Sequence, residues 1–289
     1  MSVVTRFAPS PTGRLHLGHA LSAQLSHDRA RVDDGRFLLR IDDIDGARSR
    51  PEYVASAMED LRWFGLTWDG EPVYQSQRLP LYHDALVRLS GDDLIYPCFC
   101  TRAEIEAEIA ASASAPHGEF GARYPGTCRH LSNTERLMRA DRPHCWRLDM
   151  AKAIARTGPL HWEDEQAGTV HATPEDAGDV VLARKDAPAS YHLASTIDDA
   201  DMGVTHVIRG KDLFASTHIH RLLQALLDLP TPHYHHHALI TDKDGKRLAK
   251  RDGGAELDHL REQGFDGWAL VEDLRRHVLP AGYSVREGA

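Results

Sequence analysis

The chain has 289 residues, of which 42% are hydrophobic and 27% charged, and its formal net charge is −9. This composition is typical of globular proteins and excludes a disordered chain, and no apolar run approaches the ~18 residues that span a bilayer. The net negative charge excludes nucleic-acid binding by overall positive charge, so an RNA partner is expected to meet a local basic patch. The N-terminus has no leader pattern, which predicts a soluble, cytoplasmic protein with one large or two modest domains.

The first predicted elements are a strand, a helix and a second strand. The segment TRFA ends at PSPTG, whose prolines fix φ and remove hydrogen-bond donors. A helix with Leu17, Leu21 and Leu25 on one face follows it. The segment RFLLRIDDID then alternates apolar and polar residues, as in a strand that ends in carboxylates. This order predicts the opening of a doubly wound α/β sheet.

Two helical patterns, through Met58 and Leu86, lead to a change of composition at Tyr96. There the chain contains cysteines, a capping box at Thr101 and Glu104, and a loose Ala/Ser/Gly/Pro stretch, which together indicate an inserted subdomain. HCWRLDM, DVVLARKD and GVTHVIRG are strand-like, STHIHRLLQALLDL and DGWALVEDLRRHVL are helical, and HYHHHALITD leads into a basic loop. The predicted division is a catalytic domain in two halves (1–95 and 186–255), an inserted subdomain (96–185) and a C-terminal helical segment (256–289).

Two segments indicate phosphate chemistry. At the first helix start, His16 and His19 can donate hydrogen bonds to phosphate oxygens, and Gly18 allows close approach of a nucleotide. The alternative is a pair of histidines on a surface helix. Far downstream, GKRLAKRDGG places Lys250 in a glycine-rich basic loop that suits a polyphosphate transition state, and the alternative there is a solvated basic turn.

Together these segments resemble the HIGH and KMSKS signatures of class I aminoacyl-tRNA synthetases, with HLGH at residues 16–19 and RLAKR at 247–251. RFAPSPTGRLHLGHA, LLRIDDID, DDADMGVTHVIRGKDL and GKRLAKR further resemble the glutamyl-type members, in their order and over nearly the whole chain. The resemblance implies a Rossmann-type catalytic domain with an inserted zinc-binding subdomain. It also implies that ATP and L-glutamate react to give glutamyl-adenylate, with Mg²⁺ on the pyrophosphate.

The resemblance assigns roles by position. His16, His19 and Lys250 become the catalytic residues, and with Gly18 they bind ATP. Arg6 and Arg209 become the partners of the glutamate carboxylates, since a guanidinium pairs bidentately with a carboxylate and rejects a neutral amide. The remaining glutamate-binding positions are Phe7, Ala8, Pro9, Ser10, Asp42 and Tyr191.

Three positions depart from the family pattern. Asp42 stands where relatives generally have Glu, and its reach to the substrate ammonium is shorter by roughly 1.3 Å, about one carbon–carbon bond. Arg247 replaces the first lysine of the second signature, and Ala249 replaces its serine. The serine hydroxyl's hydrogen bond is lost, whereas Lys250 remains.

The cysteines indicate a structural metal site. Cys98, Cys100 and Cys128 are three candidate thiolate ligands for zinc, and chemistry alone favours His117 or His130 as the fourth ligand. The resemblance instead implies C-x-C followed by Y-x-x-x-C, with Tyr124 as the fourth ligand. Buried free cysteines are the alternative. Two neighbouring features are expected to be structural: Cys145 as a strand core residue, and the HYHHH tract as a mixture of surface and packed histidines.

The length limits which branch of the family the chain resembles. Larger glutamyl-type enzymes continue into anticodon-binding helices, which a chain ending at Ala289 is expected to lack. The resemblance is therefore to free-standing catalytic-domain paralogues, which implies transfer of glutamate to queuosine at the wobble position of tRNA(Asp), and we expect a monomer. The alternatives are a minimal enzyme that acylates the tRNA 3′ end, a nucleotidyltransferase, and a non-catalytic tRNA-binding paralogue.

Overall fold

The computed structural model describes residues 2–111, 117–118, 121–242, 248 and 256–286. The helices are α1 (Leu17–Val32), α2 (Pro51–Trp63), α3 (Leu79–Gly91), α4 (Arg102–Ala111), α5 (Asn133–Leu137), α6 (Met150–Thr157), α7 (Tyr191–Asp201), α8 (Phe214–Leu226), α9 (Leu257–Glu262) and α10 (Gly267–Arg275). The strands are β1 (Val4–Phe7), β2 (Arg36–Ile41), β3 (Val73–Tyr74), β4 (Ile95–Cys98), β5 (His117–Gly118), β6 (Gly121–Ala122), β7 (Cys145–Leu148), β8 (His161–Asp164), β9 (Gly168–His171), β10 (Val181–Ala183), β11 (His206–Gly210), β12 (His233–His237), β13 (Leu239–Asp242) and β14 (Tyr283–Arg286).

Parallel strands form the centre of the molecule. β1 pairs in parallel with β2, and β2 with β3, while β11 pairs in parallel with β12 and β12 with β8. The two groups meet at β1 and β11, where the backbone N–H of Thr205 donates to the carbonyl oxygen of Val4 at 2.9 Å. In the first group, β1, α1 and the parallel strand β2 follow one another as predicted for a doubly wound opening, and the C-terminal ends of β1, β2 and β11 lie at one edge.

Helix α1 packs against this sheet because its apolar positions follow the helical repeat. Leu17, Ala20 and Ala23 are buried in a core that also contains Phe37 and Leu39 of β2. The alternation predicted for β2 is confirmed on that face. The core fixes the start of α1 against the C-terminal edge of the sheet.

A smaller antiparallel sheet, β10-β7-β4, contains two of the four cysteines, Cys98 in β4 and Cys145 in β7. Cys145 pairs with Cys98 across this sheet and is buried, as predicted for a strand core residue. The capping box also forms, since the carboxylate of Glu104 accepts from the backbone N–H of Thr101 at 2.6 Å. The β8-β9 hairpin, which lies in the segment 96–185, joins the central sheet through β12. The domain boundaries stay a prediction.

Several elements have no counterpart in the sequence prediction. Among them are α6 and α7, together with β14, which pairs antiparallel with β13 inside the segment 256–289 that was expected to be helical. Strand β14 has only four residues, and its partner lies more than forty positions upstream, so local periodicity gives little signal. No helix in the described part of the chain is long and apolar enough to cross a membrane.

Candidate active site

A cavity of about 710 Å³ opens at the C-terminal edge of the central sheet. It lies where β1, β2 and β11 end and where α1 and α7 begin, the usual position of ligand sites in such sheets. Most of the predicted site residues, from distant parts of the chain, line this one cavity: Arg6, Phe7, Ala8, Pro9, Ser10, His16, Gly18, His19, Asp42, Tyr191 and Arg209.

The two signature histidines cap the helix that faces the cavity. The Nδ1 of His16 accepts from the backbone N–H of Gly18 at 3.1 Å, and the Nδ1 of His19 accepts from the backbone N–H of His16 at 3.1 Å. The two rings lie 3.8 Å apart, centroid to centroid. Because each Nδ1 acts as an acceptor, each neutral ring carries its hydrogen on Nε2. The cap therefore presets both imidazoles as Nε2–H donors.

Gly18 has a local steric role that the sequence did not indicate. A Cβ at this position would lie 3.0 Å from Cε1 and 3.1 Å from Nδ1 of His16, which is closer than ordinary van der Waals contact. The glycine was expected to admit a nucleotide, and it does line the cavity. It also leaves room for the His16 ring to fold over the helix start.

Lys250, together with Arg247 and Ala249, lies outside the described residues, so its predicted contact with phosphate stays a prediction. The described neighbours of this segment are close to the helix start. Leu248 lines the cavity, and Glu256 forms an isolated antiparallel bridge with His16. Leu248 and Glu256 therefore lie on the same side of the molecule as His16.

Arginines and aspartates form a buried network beneath the cavity. Arg40 is fully buried; its Nε donates to Asp42 at 2.6 Å and its Nη1 donates to Asp199 at 2.6 Å. Arg6 donates to the same Asp199 carboxylate at 3.0 and 3.4 Å. Burial raises the pKa of Asp42, against the opposing effect of the Arg40 cation. The charges of Arg6 and Arg40 are therefore largely balanced within the protein.

Arg209 differs from these arginines because its partners are neutral. Its nitrogens donate to Nε2 of His236 at 3.1 Å, the hydroxyl of Tyr191 at 3.2 Å and the hydroxyl of Thr217 at 2.5 Å, and Nη1 also lies 3.4 Å from Nδ1 of His220. No carboxylate in the described part of the chain forms an ion pair with it. Only 5% of the Arg209 surface is exposed, yet the residue lines the cavity. A buried, unbalanced cation of this kind favours an anionic ligand.

The histidines around Arg209 make the free energy of unfolding depend on pH. Burial, aided by the Arg209 charge, lowers the pKa of His236 to about 3 and that of His220 well below its usual range. Below pH ~6.5 the unfolded chain therefore binds more protons than the folded chain. Each histidine then lowers the free energy of unfolding by up to about 1.4 kcal/mol for each pH unit of acidification. We expect the free energy of unfolding to be unaffected by these histidines above pH ~7 and to decrease because of them towards pH 5.

A comparison of the unsubstituted protein with the variant His220→Gln isolates the contribution of this histidine to the pH dependence. Burial raises the pKa of Asp60 to about 7, which acts in the opposite direction over the same pH range. We therefore expect the unfolding free energy of His220→Gln to decrease less between pH 7 and pH 5 than that of the unsubstituted protein, as measured by urea titration. Equal decreases in the two proteins would contradict the assignment of a neutral, buried His220.

The predicted metal site forms a compact cluster. The Sγ atoms of Cys98, Cys100 and Cys128 lie within 4.8 Å of one another, and those of Cys100 and Cys128 are 3.5 Å apart. The hydroxyl oxygen of Tyr124 is 3.4 Å from the Sγ atoms of both Cys98 and Cys100. The cysteine cluster could hold a metal ion. Of the alternative fourth ligands, His130 lines a different cavity, and the side chain of His117 lies outside the described part of the chain.

The HYHHH tract forms strand β12, as expected for a mixture of surface and packed histidines. His233 is exposed, whereas His236 and His237 are buried, and no metal-ligand group in the described residues includes them. Sequence reasoning missed the role of His236 next to Arg209, as it missed Arg40 and Asp199. No local sequence pattern indicated this contact, because it depends on the parallel pairing of β11 with β12.

Comparisons with known proteins identify the family to which this chain belongs. The family described as tRNA synthetases class I (E and Q), catalytic domain, matches residues 2–286. A Rhodobacter capsulatus protein named glutamyl-Q tRNA(Asp) synthetase is 50% identical over 289 residues, which cover 96% of this chain and 99% of the relative. A Symbiobacterium thermophilum protein of the same name is 45% identical, with 93% of this chain and 84% of the relative covered.

A solved structure is similar over most of the fold. The glutamate-tRNA synthetase from Elizabethkingia anophelis superposes with a TM-score of 0.75 at 31% identity and covers 88% of this chain. The match covers 53% of that synthetase, so this chain spans about half of its length.

Proposed function

Because the chain belongs to the catalytic-domain family of class I tRNA synthetases for E and Q, we propose that it is a ligase that activates L-glutamate with ATP and transfers the glutamyl group to queuosine at the wobble position of tRNA(Asp). Two relatives matched over 99% and 84% of their own lengths carry the name of that activity. The observation that carries the amino-acid part is the cation of Arg209, which is buried at the cavity and has no acidic partner among the residues that the structure describes.

Glutamate selection follows from the kind of groups around Arg209. The hydroxyl of Tyr191 accepts from Nη1 of Arg209, so its own hydrogen points to another acceptor. The guanidinium and this hydroxyl offer only donors to a ligand, and a carboxylate supplies only acceptors. The amide of glutamine would place an N–H₂ group opposite these donors, which leaves buried donors unpaired. Asp42, whose carboxylate pairs with Arg40, is available to the substrate ammonium.

The activation step needs positioning and charge stabilisation rather than a protein nucleophile. The glutamate carboxylate attacks the α-phosphate of ATP, the new C–O–P bond forms, and pyrophosphate leaves with the electron pair. The Nε2–H groups of His16 and His19, fixed by the helix cap, can donate to phosphate oxygens as negative charge moves onto them. Lys250 would supply a further cation, and Mg²⁺ would neutralise the pyrophosphate.

Labelled glutamate distinguishes the proposal from its alternatives. The protein is incubated with ATP, labelled glutamate and either queuosine-containing tRNA(Asp) or the unmodified transcript. We expect label on the modified tRNA alone, and the ester should survive removal of the tRNA 3′ end because the anticodon loop carries it. Equal labelling of the unmodified transcript, or loss of the label with the 3′ end, would contradict the proposal.

We further propose that the cysteine cluster binds one structural zinc ion, with Tyr124 as the fourth ligand. A tetrahedral zinc site has edges of roughly 3.8 Å between two sulfurs and roughly 3.5 Å between sulfur and oxygen. The observed separations are 3.5 Å between Cys100 and Cys128 and 3.4 Å between Cys98 and the Tyr124 hydroxyl, which fit such a site. The guanidinium of Arg147 lies 3.9 Å over the Tyr124 ring and holds that ring in place.

The zinc proposal predicts a loss of metal on substitution of one ligand. We expect about one zinc per chain in the purified protein, and Cys100→Ser should lower both the zinc content and the thermal midpoint, because a structural zinc site contributes directly to folding. Elemental analysis by mass spectrometry measures the metal. Cys145→Ser, at a buried cysteine outside the cluster, is the control and should keep its zinc. Equal zinc contents in the two variants would contradict the site.

A further inference from the structure

Three residues on neighbouring strands form a buried relay behind the cavity. The Oδ2 of Asp164 at the end of β8 lies 2.7 Å from Nδ1 of His236 on β12. The Nε2 of His236 accepts from Nε of Arg209 on β11 at 3.1 Å. The side chains of His236 and Asp164 are each only 1% exposed, so water does not compete for these contacts. The relay therefore connects the guanidinium of Arg209, through His236, to the end of β8.

The ends of the relay determine the tautomer of the histidine. A carboxylate only accepts hydrogen bonds, so the hydrogen of the neutral ring is on Nδ1, facing Asp164. This leaves a lone pair on Nε2, which faces Arg209. Asp164 is itself fixed, since its Oδ1 accepts from the backbone N–H groups of Gln166 and Ala167 at 2.9 and 3.0 Å. Both the ring orientation and its acceptor atom are thus set before a ligand arrives.

A histidine at this position orients Arg209 without neutralising it. Asp199 performs the corresponding role for Arg6, but its carboxylate also balances that charge. Burial and the Arg209 cation lower the pKa of His236 to about 3, so the ring stays neutral near pH 7. The other groups that face this ring are Thr217 and the aromatic rings of Tyr234, Phe214 and Trp162, and His237 also acts on its charge.

We propose that His236, oriented by Asp164, is a positioning residue for Arg209 and thereby determines how tightly the cavity binds the carboxylate side chain of its amino-acid substrate. The proposal deepens the function given above and rests on it. His236 does not line the cavity, so it acts only through Arg209. A substitution of His236 is therefore expected to change the affinity for the amino acid, while ATP binding and the rate of the chemical step stay unchanged.

Two amide variants separate the two ring nitrogens. In His236→Gln the amide reaches the position of Nε2 and can still offer an oxygen to Arg209. In His236→Asn the shorter amide reaches the position of Nδ1, so it keeps the contact with Asp164 and loses the contact with Arg209. The two amides differ by one methylene, which makes each variant a control for the other.

The test is ATP–pyrophosphate exchange without RNA, with glutamate and ATP varied separately. We expect His236→Asn to raise the KM for glutamate about ten- to hundredfold, the effect of losing a hydrogen bond to a charged group. The KM for ATP and kcat should stay within about threefold, and His236→Gln should stay within about fivefold of the unsubstituted KM for glutamate. Thermal unfolding of each variant shows whether it is folded.

The outcomes distinguish a failure of the proposed function from a failure of the positioning role of His236. If the unsubstituted protein shows no glutamate-dependent exchange, the proposed function fails. If that protein is active and His236→Asn keeps the same KM for glutamate, or loses kcat and ATP affinity equally, the positioning role alone is overturned. Equal increases in KM in the two variants would also overturn it, because the contact with Arg209 would then not be what matters.

Discussion

Replacement of Arg209 by glutamine should reduce kcat/KM for glutamate in ATP–pyrophosphate exchange by about 10²–10³-fold, the effect of losing one partner of a buried charge pair. The residue is 5% exposed, lines the cavity and donates only to neutral groups within the described part of the chain, so its charge is available to a substrate carboxylate. Most of the loss should be in KM, since the contact exists before the chemical step.

Selectivity between glutamate and glutamine should change with the same substitution. The glutamine side chain at 209 can offer an acceptor to an amide N–H₂ group, whereas the arginine cannot. Arg221→Gln, on helix α8 and outside the cavity lining, is the matched control and should leave the exchange rate within about twofold. An Arg209→Gln enzyme with unchanged KM for glutamate would contradict the assignment.

The double substitution His16→Asn with His19→Gln should lower kcat by at least about 10²-fold while the thermal midpoint changes little. Asparagine is a good N-cap residue, and glutamine is a natural N3 partner in a capping box, so both backbone contacts of the helix start can be kept. What disappears is the pair of Nε2–H donors. Single-turnover formation of glutamyl-adenylate measures the step directly.

A contrasting variant separates catalysis from capping. His16→Ala removes both the donor and the cap, and loss of an N-cap costs about 1 kcal/mol of stability. It should therefore be slow and also less stable, whereas the asparagine and glutamine pair should be slow only. Retention of wild-type kcat by that pair would show that the imidazoles serve the helix rather than the phosphates.

The sequence predicted the residues that line the cavity better than the buried residues that support them. The blocks at Arg6–Ser10, His16–His19, Asp42, Tyr191 and Arg209 were recognisable as motifs, and all of them line one cavity. Their residue types and order were enough to identify them, so no geometry was needed to find them.

The supporting residues could not be found in this way. Arg40 was expected on the more polar face of its strand, yet it is fully buried, because Asp42 and Asp199 surround it. Asp199 lies 159 positions from Arg40 along the chain. Similarly, His236 belongs to a histidine tract that was expected to mix surface and packed side chains, and only the pairing of β11 with β12 brings it to Arg209. Such pairs depend on strand register, which local patterns do not fix.

The proposed function depends most directly on one property of the cavity, the activation of an amino acid with a carboxylate side chain. Exchange of labelled pyrophosphate into ATP, measured without RNA and with glutamate, glutamine or no amino acid, tests that property. We expect exchange with glutamate and only background with glutamine or with no addition. Exchange that is absent with glutamate, equally fast with glutamine, or independent of any amino acid would contradict the account.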